Sequence, residues 1–480
     1  MEKVYRPAPP IDVFVASAHL AVFESSSYFI SAYPYSVYLN TMLPDTNQTE
    51  PERREQMKFK CISDSGEVAD SVVVGIDGGQ DCSWKNYYFI CGFYNPLSTV
   101  RLVDDQVFGP EITVKQPIAR KIPLVVCLSR TFYYENWQVM LTVLEMYKTM
   151  GVSEFSIHIL NVVKEVYDIL KLYEREINLK INPGFIIPKI DGRLENPNFH
   201  TETMNQIMCY NDCLYSYREA AEFMIFSDMD DLIMPENGDL LSKARSLLEA
   251  FPMAAGFEFV WATSHFRLAP SLDQFSIPQL FKSLTVKNLE AYGKSIVIPK
   301  RMKSAIIHNV AGESTRVFGY ENINSTFTVD AGRTVHIRGA ETKEQDAADK
   351  NSDFLTEEKA ILNNKAIKLA DSALKSRSRT DKKFEDVSAL RSLPPTLFFT
   401  PQFRQCYTDI TMIRNAGTSL CASMSNCRID HRNGPKCATA NADYAGYING
   451  KLNFYVANNL RIEEDTGCEL KIESPAIFEL

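Results

Sequence analysis

The sequence predicts an α/β protein with a mostly parallel, Rossmann-type sheet, preceded by a small N-terminal β-rich domain. Two observations predict this fold class. From Lys121 onward, apolar strand-like runs alternate with segments whose apolar residues recur at helical spacing. Before Lys121, short β-rich runs are separated by turn residues. Because successive β–α–β units connect through right-handed crossovers, we expect a largely parallel sheet with helices on both faces.

The β-rich domain is predicted over residues 1–117. It contains strand-like runs at Val13–Val15, Val72–Val74 and Tyr87–Cys91, and a turn signal at Asp77-Gly78-Gly79. Residues 341–385 are polar and highly charged, with alanine-rich stretches, and predict an exposed helical arm or linker. Residues 386–480 form a Cys-containing C-terminal region whose fold the sequence does not predict.

The α/β domain is predicted over residues 118–340. Strands are expected at Leu124–Leu128, Phe155–Leu160, Phe185–Ile187, Phe223–Asp228, Met253–Val260 and Lys294–Ile298. Helices are expected between Trp137 and Tyr147, between Val162 and Ile177, and between Met204 and Tyr215. Gly151 supplies a stop signal after the first helix.

The composition limits the classes of partner. The chain has 480 residues, with Lys+Arg 51 against Asp+Glu 60, and a formal net charge of -9. It contains no basic run of the kind that binds phosphate backbones, so nucleic acid is not an expected partner. The longest apolar runs fall short of the roughly 18 residues of a membrane span, and no signal-like segment follows Met1, so a soluble chain is expected.

The eleven cysteines are unevenly placed, and no CxxC pair exists. The clusters near the two ends predict disulfides and therefore an oxidising compartment. In the middle of the chain, Cys127, Cys209 and Cys213 are predicted to be buried thiols. The glycosylation sequons at Asn47 and Asn324 point weakly in the same direction, towards a glycoprotein of the secretory lumen.

The segment FMIFSDMDDLIMP, residues 223–235, is the strongest candidate for chemistry. Its apolar run is typical of a strand buried on both faces, and it ends abruptly in Asp228, Asp230 and Asp231. Ligands of open α/β sheets bind at the carboxyl ends of the strands. Because hard divalent cations prefer carboxylate oxygens, Asp228 and Asp230 are predicted to hold a metal and, through it, a diphosphate. The alternative is a chance triplet of solvated turn or helix-capping residues.

A histidine is expected to complete the metal site. His308 follows the apolar residues 305–307, and its neutral imidazole could join the carboxylates. His336 is the competing candidate on the same terms. A hydrogen-bonded structural histidine is the alternative for either.

These residues together resemble glycosyltransferase family 92. The resemblance spans roughly residues 120–340 and rests on motifs in the same order and spacing. They are PLVVCLSRTFYYENW, the helix with Asn211-Asp212-Cys213-Leu214, FMIFSDMDDLIMP, KSIVIP followed by His308, and His336-Ile337-Arg338. It implies a GT-A-like fold and inverting transfer of a sugar, galactose in the family, from a nucleotide sugar to a glycan or glycoprotein acceptor. Family members are typically Golgi proteins, so the Golgi lumen or the wider secretory pathway is expected, without an anchor in this chain.

The resemblance also assigns roles. It places Asp228 and Asp230 at the metal, Mn²⁺ or Mg²⁺, and at the diphosphate of a UDP-sugar. Ser129 and Arg130 are implied to lie near the nucleotide, and Asn211 and Asp212 near the donor sugar, with a bracing role as the alternative. The family commonly has His-Tyr-Arg where this chain has His336-Ile337-Arg338.

The sequence offers two candidates for the general base that would deprotonate the acceptor hydroxyl. Glu258 is the first candidate, because its side chain is expected to point away from those of Phe257 and Phe259, and Asp231 is the second. An aspartate-nucleophile phosphatase and a glycosidase are rival enzyme classes. A catalytically inactive carbohydrate-binding protein on a transferase scaffold is the alternative outside the enzymes.

Overall fold

The structure is a computed structural model with two large sheets. It describes residues 11–22, 33–44, 57, 59–76, 81–104, 107–190, 196–288, 293–307, 310–312, 314–317, 320–323, 326–338, 364–380, 397–418, 420–421, 423, 427, 429, 436–448, 452–469 and 476–479. The predicted turn at 77–79, the asparagines of both sequons and His308 lie outside the described residues.

The first sheet joins strands from both ends of the chain. Its strands are β1 (Ile11–Val22), β2 (Tyr35–Pro44), β3 (Lys60–Ser63), β4 (Val68–Gly75), β5 (Trp84–Phe93), β6 (Thr99–Asp104), β7 (Val107–Thr113), β10 (Asn161–Val163), β22 (Lys436–Ile448), β23 (Leu452–Thr466) and β24 (Ala476–Glu479). Their order is β10-β22-β23-β1-β2-β5-β4-β3-β6-β7, and β24 pairs with β22. The predicted strands near Val13, Val72 and Tyr87 are confirmed as β1, β4 and β5. Because β1 pairs with β23, the N-terminal strands share their sheet with the C-terminal region.

The second sheet carries the Asp-rich segment. Its strands are β8 (Ile122–Thr131), β9 (Glu154–Ile159), β11 (Leu179–Pro183), β12 (Ala221–Ser227), β13 (Asp231–Pro235), β14 (Gly256–His265), β15 (Thr285–Asn288), β16 (Lys294–Val297) and β21 (Thr326–Arg338). The order is β11-β9-β8-β12-β16-β14-β21-β13, with β15 on β14. Strands β11, β9, β8 and β12 are parallel neighbours. Beyond β12 the sheet is mixed, because β15 and β16 are antiparallel to β14, a pairing that needs no crossover helix.

Two short hairpins, seven α-helices and four short 3₁₀ helices complete the described structure. The hairpins pair β17 (Met302–Ala305) with β18 (Val310–Gly312) and β19 (Ser314–Val317) with β20 (Tyr320–Ile323). The helices are α1 (Trp137–Thr149), α2 (Lys164–Glu176), α3 (Gln206–Tyr217), α4 (Leu240–Ala250), α5 (Ile277–Ser283), α6 (Asn364–Thr380) and α7 (Phe399–Asn415). The three helices predicted from apolar spacing are confirmed as α1, α2 and α3. Helix α3 packs between the two sheets, against β8 and β1.

One predicted strand is wrong. Phe185–Ile187 has no regular structure, and the strand that pairs with β9 is β11, which ends just before it. The three side chains are apolar because they are buried, Phe185 beside Met208 and Cys209 and Ile186 beside Leu160. A short apolar run marks burial as well as strand, and here burial alone accounts for it.

Within the predicted exposed helical arm, the described residues 364–380 form helix α6, and one face of this helix is buried. Helix α6 packs against α1 through Ala366, Ile367 and Ala370. Arg377 of α6 donates from Nε to Glu145 Oε1 of α1 at 2.8 Å. The polar composition of the segment reflects the outer face of this helix, and the domain boundaries given above stay a prediction.

Five disulfides link ten of the eleven cysteines. The pairs are Cys61–Cys91, Cys82–Cys421, Cys127–Cys213, Cys406–Cys427 and Cys437–Cys468. The predicted disulfides of the terminal clusters are confirmed. The prediction that Cys127 and Cys213 are thiols is wrong, because β8 and α3 bring them together in the core. Cys209 is the buried free thiol.

No helix among the described residues is both long and apolar enough to cross a membrane.

Candidate functional site

A cavity of about 360 Å³ opens at the carboxyl ends of β8 and β12. We call it the central cavity. Ser129 and Arg130 line it from β8, and Asp228 and Asp230 line it from the turn after β12. His336 of β21 and one face of α7 complete its walls. The predicted metal and nucleotide residues, apart from His308, are therefore gathered in one cavity, as the carboxyl-end rule predicts.

The turn between β12 and β13 presents the carboxylates. Ser227 Oγ donates to the carbonyl oxygen of Asp231 at 2.8 Å, and Asp231 N donates to that of Asp228 at 3.1 Å. The Tyr147 hydroxyl donates to the same Asp231 carbonyl and accepts from Ile233 N, both at 3.2 Å. These bonds fix the backbone across the turn, so Asp228 and Asp230 project from a rigid support.

Asp230, Asp231 and His336 form a group that could hold a metal ion, with ligand atoms within 4.8 Å of one another. Asp231 and His336 are opposite each other in the β13–β21 pair. His336 Nδ1 lies 2.6 Å from Asp231 Oδ1, and His336 Nε2 lies 3.6 Å from Asp230 Oδ2. The imidazole thus turns one nitrogen to a buried carboxylate and the other to an exposed one. This is the arrangement in which a carboxylate orients a metal-binding histidine.

Lys294 is the buried cation of the site. Its Nζ lies 2.8 Å from Asp228 Oδ2 and 3.4 Å from Asp231 Oδ2. Burial alone would lower the pKa of Lys294, but the neighbouring carboxylates and Tyr210 outweigh it and raise the pKa well above its ordinary value. The other oxygen of Asp228 accepts from Gln206 Nε2 at 2.6 Å and from the Tyr210 hydroxyl at 3.2 Å. Asp228 is therefore held by the protein and lies outside the group around His336.

Arg130 is a cation in the wall of the central cavity, as is Arg404 of α7. Arg130 donates from Nη1 to Ser129 Oγ at 3.2 Å. Burial lowers the pKa of Arg130, and Asp228 and Asp230 oppose that shift. Guanidinium groups stay protonated in proteins, so the cavity presents this cation beside its carboxylates at neutral pH.

Strained backbone borders the cavity. Thr203, Met204 and Asn205 have φ of 42°, 54° and 62°, and Tyr133 has φ of 44°. Thr203 and Tyr133 line the cavity. Left-handed conformations cost non-glycine residues free energy and cluster at functional sites.

Four predicted site residues that the structure describes are not among those that line the central cavity, namely Glu258, Asn211, Asp212 and Asp231, although Asp231 contacts His336 in its wall. Glu258 is buried in β14, and its Oε1 accepts from Gly293 N at 3.2 Å. Burial raises the pKa of Glu258, but its side chain is not among those that line the central cavity. Asn211 braces α3, donating to the carbonyl oxygen of Ala305 and accepting from Ala305 N, both at 2.8 Å. The bracing role was the alternative for Asn211, and the predicted roles of Glu258 and Asn211 stay untested.

Asp212 belongs to a buried charge cluster between the two sheets. Its carboxylate lies 2.7 Å from Lys115 Nζ, 3.0 Å from His19 Nε2 and 3.1 Å from His158 Nε2. Burial alone would raise the pKa of Asp212, but Lys115 and the two histidines outweigh burial and hold that pKa well below its ordinary value. Asp212 does not line the central cavity, and a role in donor binding stays a prediction.

We expect Asp212→Asn to destabilise the protein by about 3 kcal/mol at neutral pH, because Lys115 loses its buried counter-charge and His19 and His158 lose an ionised hydrogen-bond acceptor. A depressed carboxyl pKa adds stability that is present above the unfolded value of about 3.9 and is lost as pH falls through the folded value. The variant should therefore lose less stability than the wild type below about pH 4. Urea unfolding across this range measures both effects, with exposed Asp70→Asn as control. Equal acid dependence of wild type and variant would contradict the prediction.

Sequence reasoning missed Lys294 and α7. Lys294 had a signal, since it is a charge at the start of an apolar strand, and a charge buried there needs a carboxylate partner. The α7 residues that line the cavity are Thr400, Phe403, Arg404, Tyr407 and Thr408. They lie about 170 positions beyond the Asp-rich turn, and nothing in their local pattern indicates the cavity.

Comparison with known proteins identifies the family of this chain. The family model of glycosyltransferase family 92 matches residues 122–378. Three similar proteins come from Caenorhabditis elegans. Glycosyltransferase family 92 protein F13G3.3 is 27% identical over 72% of this chain and 70% of its own, F59C6.8 is 23% identical over 81% and 76%, and F55C10.4 is 26% identical over 80% and 77%.

Among solved structures, the crystal structure of S. aureus TarS 1-349 matches at 15% identity and a TM-score of 0.20, covering 34% of this chain and 46% of that one. The family match covers more than half of the chain. It includes the whole Asp-rich turn, Ser129 and Arg130 of β8, and His336 of β21. The chain belongs to glycosyltransferase family 92.

Proposed function

We propose that this glycosyltransferase moves galactose from UDP-galactose to a hydroxyl of a glycan acceptor, with inversion and with the help of Mn²⁺ or Mg²⁺. The observation that carries the proposal is the group of Asp230, Asp231 and His336, of which Asp230 and His336 line the central cavity and Asp231 lies buried behind them. The parallel half of the second sheet, with Ser129 and Arg130 at the carboxyl end of β8 and Asp228 and Asp230 after that of β12, supports a GT-A-like Rossmann-type arrangement.

The side chains at the cavity suit a divalent cation. Asp230 and His336 Nε2 would hold it, since carboxylate oxygen and imidazole nitrogen both bind divalent metals. Asp231 accepts from His336 Nδ1 and so fixes the ring orientation and the tautomer. When bound, the ion would neutralise charge that develops on the departing diphosphate. Asp228 is held in place by Lys294 and Gln206, and we expect it to contact the donor beside the metal ligands.

Arg130 and Ser129 are the proposed diphosphate-side groups. A guanidinium can donate two parallel hydrogen bonds to phosphate oxygens, and Ser129 Oγ already contacts Arg130 Nη1 and would position it. For inversion, a base removes the acceptor proton as that oxygen attacks the anomeric carbon and the bond to the diphosphate breaks. Asp231, one of the two predicted bases, contacts His336 of the cavity wall through one oxygen and faces Lys294 with the other. Glu258, the other predicted base, accepts from Gly293 N, and neither of these two residues lines the cavity.

We also propose that the protein resides in the lumen of the Golgi or elsewhere in the secretory pathway. Five disulfides persist in oxidising compartments and are rare in the cytosol. Fractionation of cells that express the chain tests this, and recovery of the reduced protein from the cytosol would refute it.

The function is tested by titrating the purified protein with UDP-galactose, UDP-glucose and UDP-N-acetylglucosamine, with and without Mn²⁺. We expect metal-dependent binding of UDP-galactose that Asp230→Ala abolishes and Asp330→Ala retains, because Asp330 is 85% exposed on β21. Binding of another UDP-sugar in place of UDP-galactose would show that the proposed donor is wrong and identify the donor that the protein uses. Absence of binding under every condition would refute the transferase proposal and favour an inactive carbohydrate-binding protein.

A further inference from the structure

A second, open cleft of about 490 Å³ adjoins the central cavity. It is lined by Asp81, by Tyr407, Thr411, Arg414 and Asn415 of α7, and by residues 417–418 after the helix. We call it the α7 cleft. Tyr407 lines both spaces, so the cleft continues from the cavity that contains Asp230 and His336.

One face of α7 forms this continuous wall. Thr400, Arg404 and Tyr407 line the central cavity, and Tyr407, Thr411 and Arg414 line the cleft. Their spacing of three and four residues places them on one side of a helix. From Tyr407 to Arg414 the helix rises about 10 Å, the length of a disaccharide.

The walls of the cleft are fixed covalently and by packing. Cys406, next to Tyr407, is bonded to Cys427, and Cys82, next to Asp81, is bonded to Cys421. At the other end of α7, the rings of Phe399 and Phe403 lie 5.2 and 5.3 Å from that of Tyr133 in the central cavity. The backbone of the cleft walls is therefore held in place, which limits the ordering needed when a ligand binds.

The chemistry of the cleft suits a neutral sugar chain. Tyr407 is 45% exposed and offers a ring face on which the C–H face of a pyranose can stack. Arg414 Nη2 lies 3.2 Å from Asp81 Oδ2, so the two opposite charges balance each other. An anionic ligand beside Arg414 would be repelled by the carboxylate of Asp81. Arg414 donates, Asp81 accepts and the Asn415 amide does both, which matches the mixed demands of sugar hydroxyls.

Glu202, a partly buried carboxylate, interacts electrostatically with two residues of the cleft. Glu202 precedes Thr203, which lines the central cavity, and burial raises the pKa of Glu202 while Arg414 and Asp81 act on it electrostatically. Among the described residues, no hydrogen-bond partner satisfies Glu202 Oε2 or Thr203 Oγ1. Glu202 itself lines neither space, so the ligand contacts proposed below come from α7 and Asp81.

We propose that the α7 cleft binds the acceptor as a neutral oligosaccharide, with one ring on Tyr407 and the next towards Arg414. The inference rests on the proposed transferase function. Helix α7 lies beyond residues 122–378, which the family model matches, so the acceptor choice would be set by a part of the chain outside that match.

The test uses a panel of neutral and sialylated oligosaccharides, whose binding to the full chain is measured without donor. We expect neutral glycans to bind and Arg414→Ala and Tyr407→Ala to weaken their affinity by about tenfold, with Tyr407→Phe retaining most of it. In transfer from UDP-galactose, Arg414→Ala should raise the acceptor KM about tenfold and change the donor KM by less than about twofold. The controls are Arg101→Ala and Tyr94→Ala. Arg101 forms an exposed pair with Glu111 at 2.8 Å, and Tyr94 is 64% exposed.

The outcomes separate the two proposals. Glycan binding that needs Arg414 and Tyr407, without any binding or hydrolysis of UDP-sugars, would support the cleft and refute the transferase. Metal-dependent use of UDP-galactose, with glycan affinity unchanged in Arg414→Ala and Tyr407→Ala, would refute the cleft alone. A preference for sialylated glycans, or an effect of Arg414→Ala on the donor KM alone, would also overturn it.

Discussion

His336→Ala is expected to lower metal affinity and transfer rate by about 100-fold or more, because the protein loses one of two proposed metal ligands. Asp231→Asn should cost about tenfold to 100-fold, since it removes the carboxylate that orients the ring but leaves both ligands. Initial rates measured over a range of Mn²⁺ concentrations test both variants. Raised Mn²⁺ should recover part of the lost rate in each.

The dependence on Mn²⁺ distinguishes metal binding from proton transfer. If His336 or Asp231 served as the general base, saturating metal would leave the rate of its variant low. Asp330→Asn controls for loss of a carboxylate on the same strand as His336. A His336→Ala protein with wild-type Mn²⁺ affinity would refute the ligand assignment, whatever its rate.

Lys294→Met is expected to lower the free energy of unfolding by about 3–5 kcal/mol. The side chain is 2% exposed and neutralises Asp228 and Asp231, so its loss leaves two carboxylates without their buried cation. Urea unfolding measures the effect. Adding Asp231→Asn to Lys294→Met should recover part of the loss, because it removes one of the two uncompensated charges.

Lys300→Met is the matched control for this prediction. Lys300 lies 3.7 Å from Glu219 with 41% of its side chain exposed, and exposed pairs contribute about 0–1 kcal/mol. A loss of less than about 1 kcal/mol in Lys294→Met would show that the buried carboxylates do not depend on this lysine.

The sequence by itself determined the elements with strong periodicity and the chemistry of one turn. Helix α1 and strand β12 follow from apolar spacing, because burial of one helix face or of both strand faces leaves a pattern in consecutive residues. The three carboxylates after β12 mark a site because charges at the end of a buried strand must face water, a ligand or a partner. The motifs around them resemble glycosyltransferase family 92, and the family match agrees.

Only the tertiary structure decided which distant residues meet. The pairing of β1 with β23, the disulfide between Cys127 and Cys213, the contact of Lys294 with Asp228 and the α7 wall of the central cavity all join segments far apart in the chain. Local patterns report whether a residue is buried, but not what it is buried against. Residue type and position in the sequence therefore suggested Glu258 and Asn211, which lie away from the cavity. His336 and Asp231 come together because they are opposite residues of two paired strands, and strand pairing is decided by the tertiary structure.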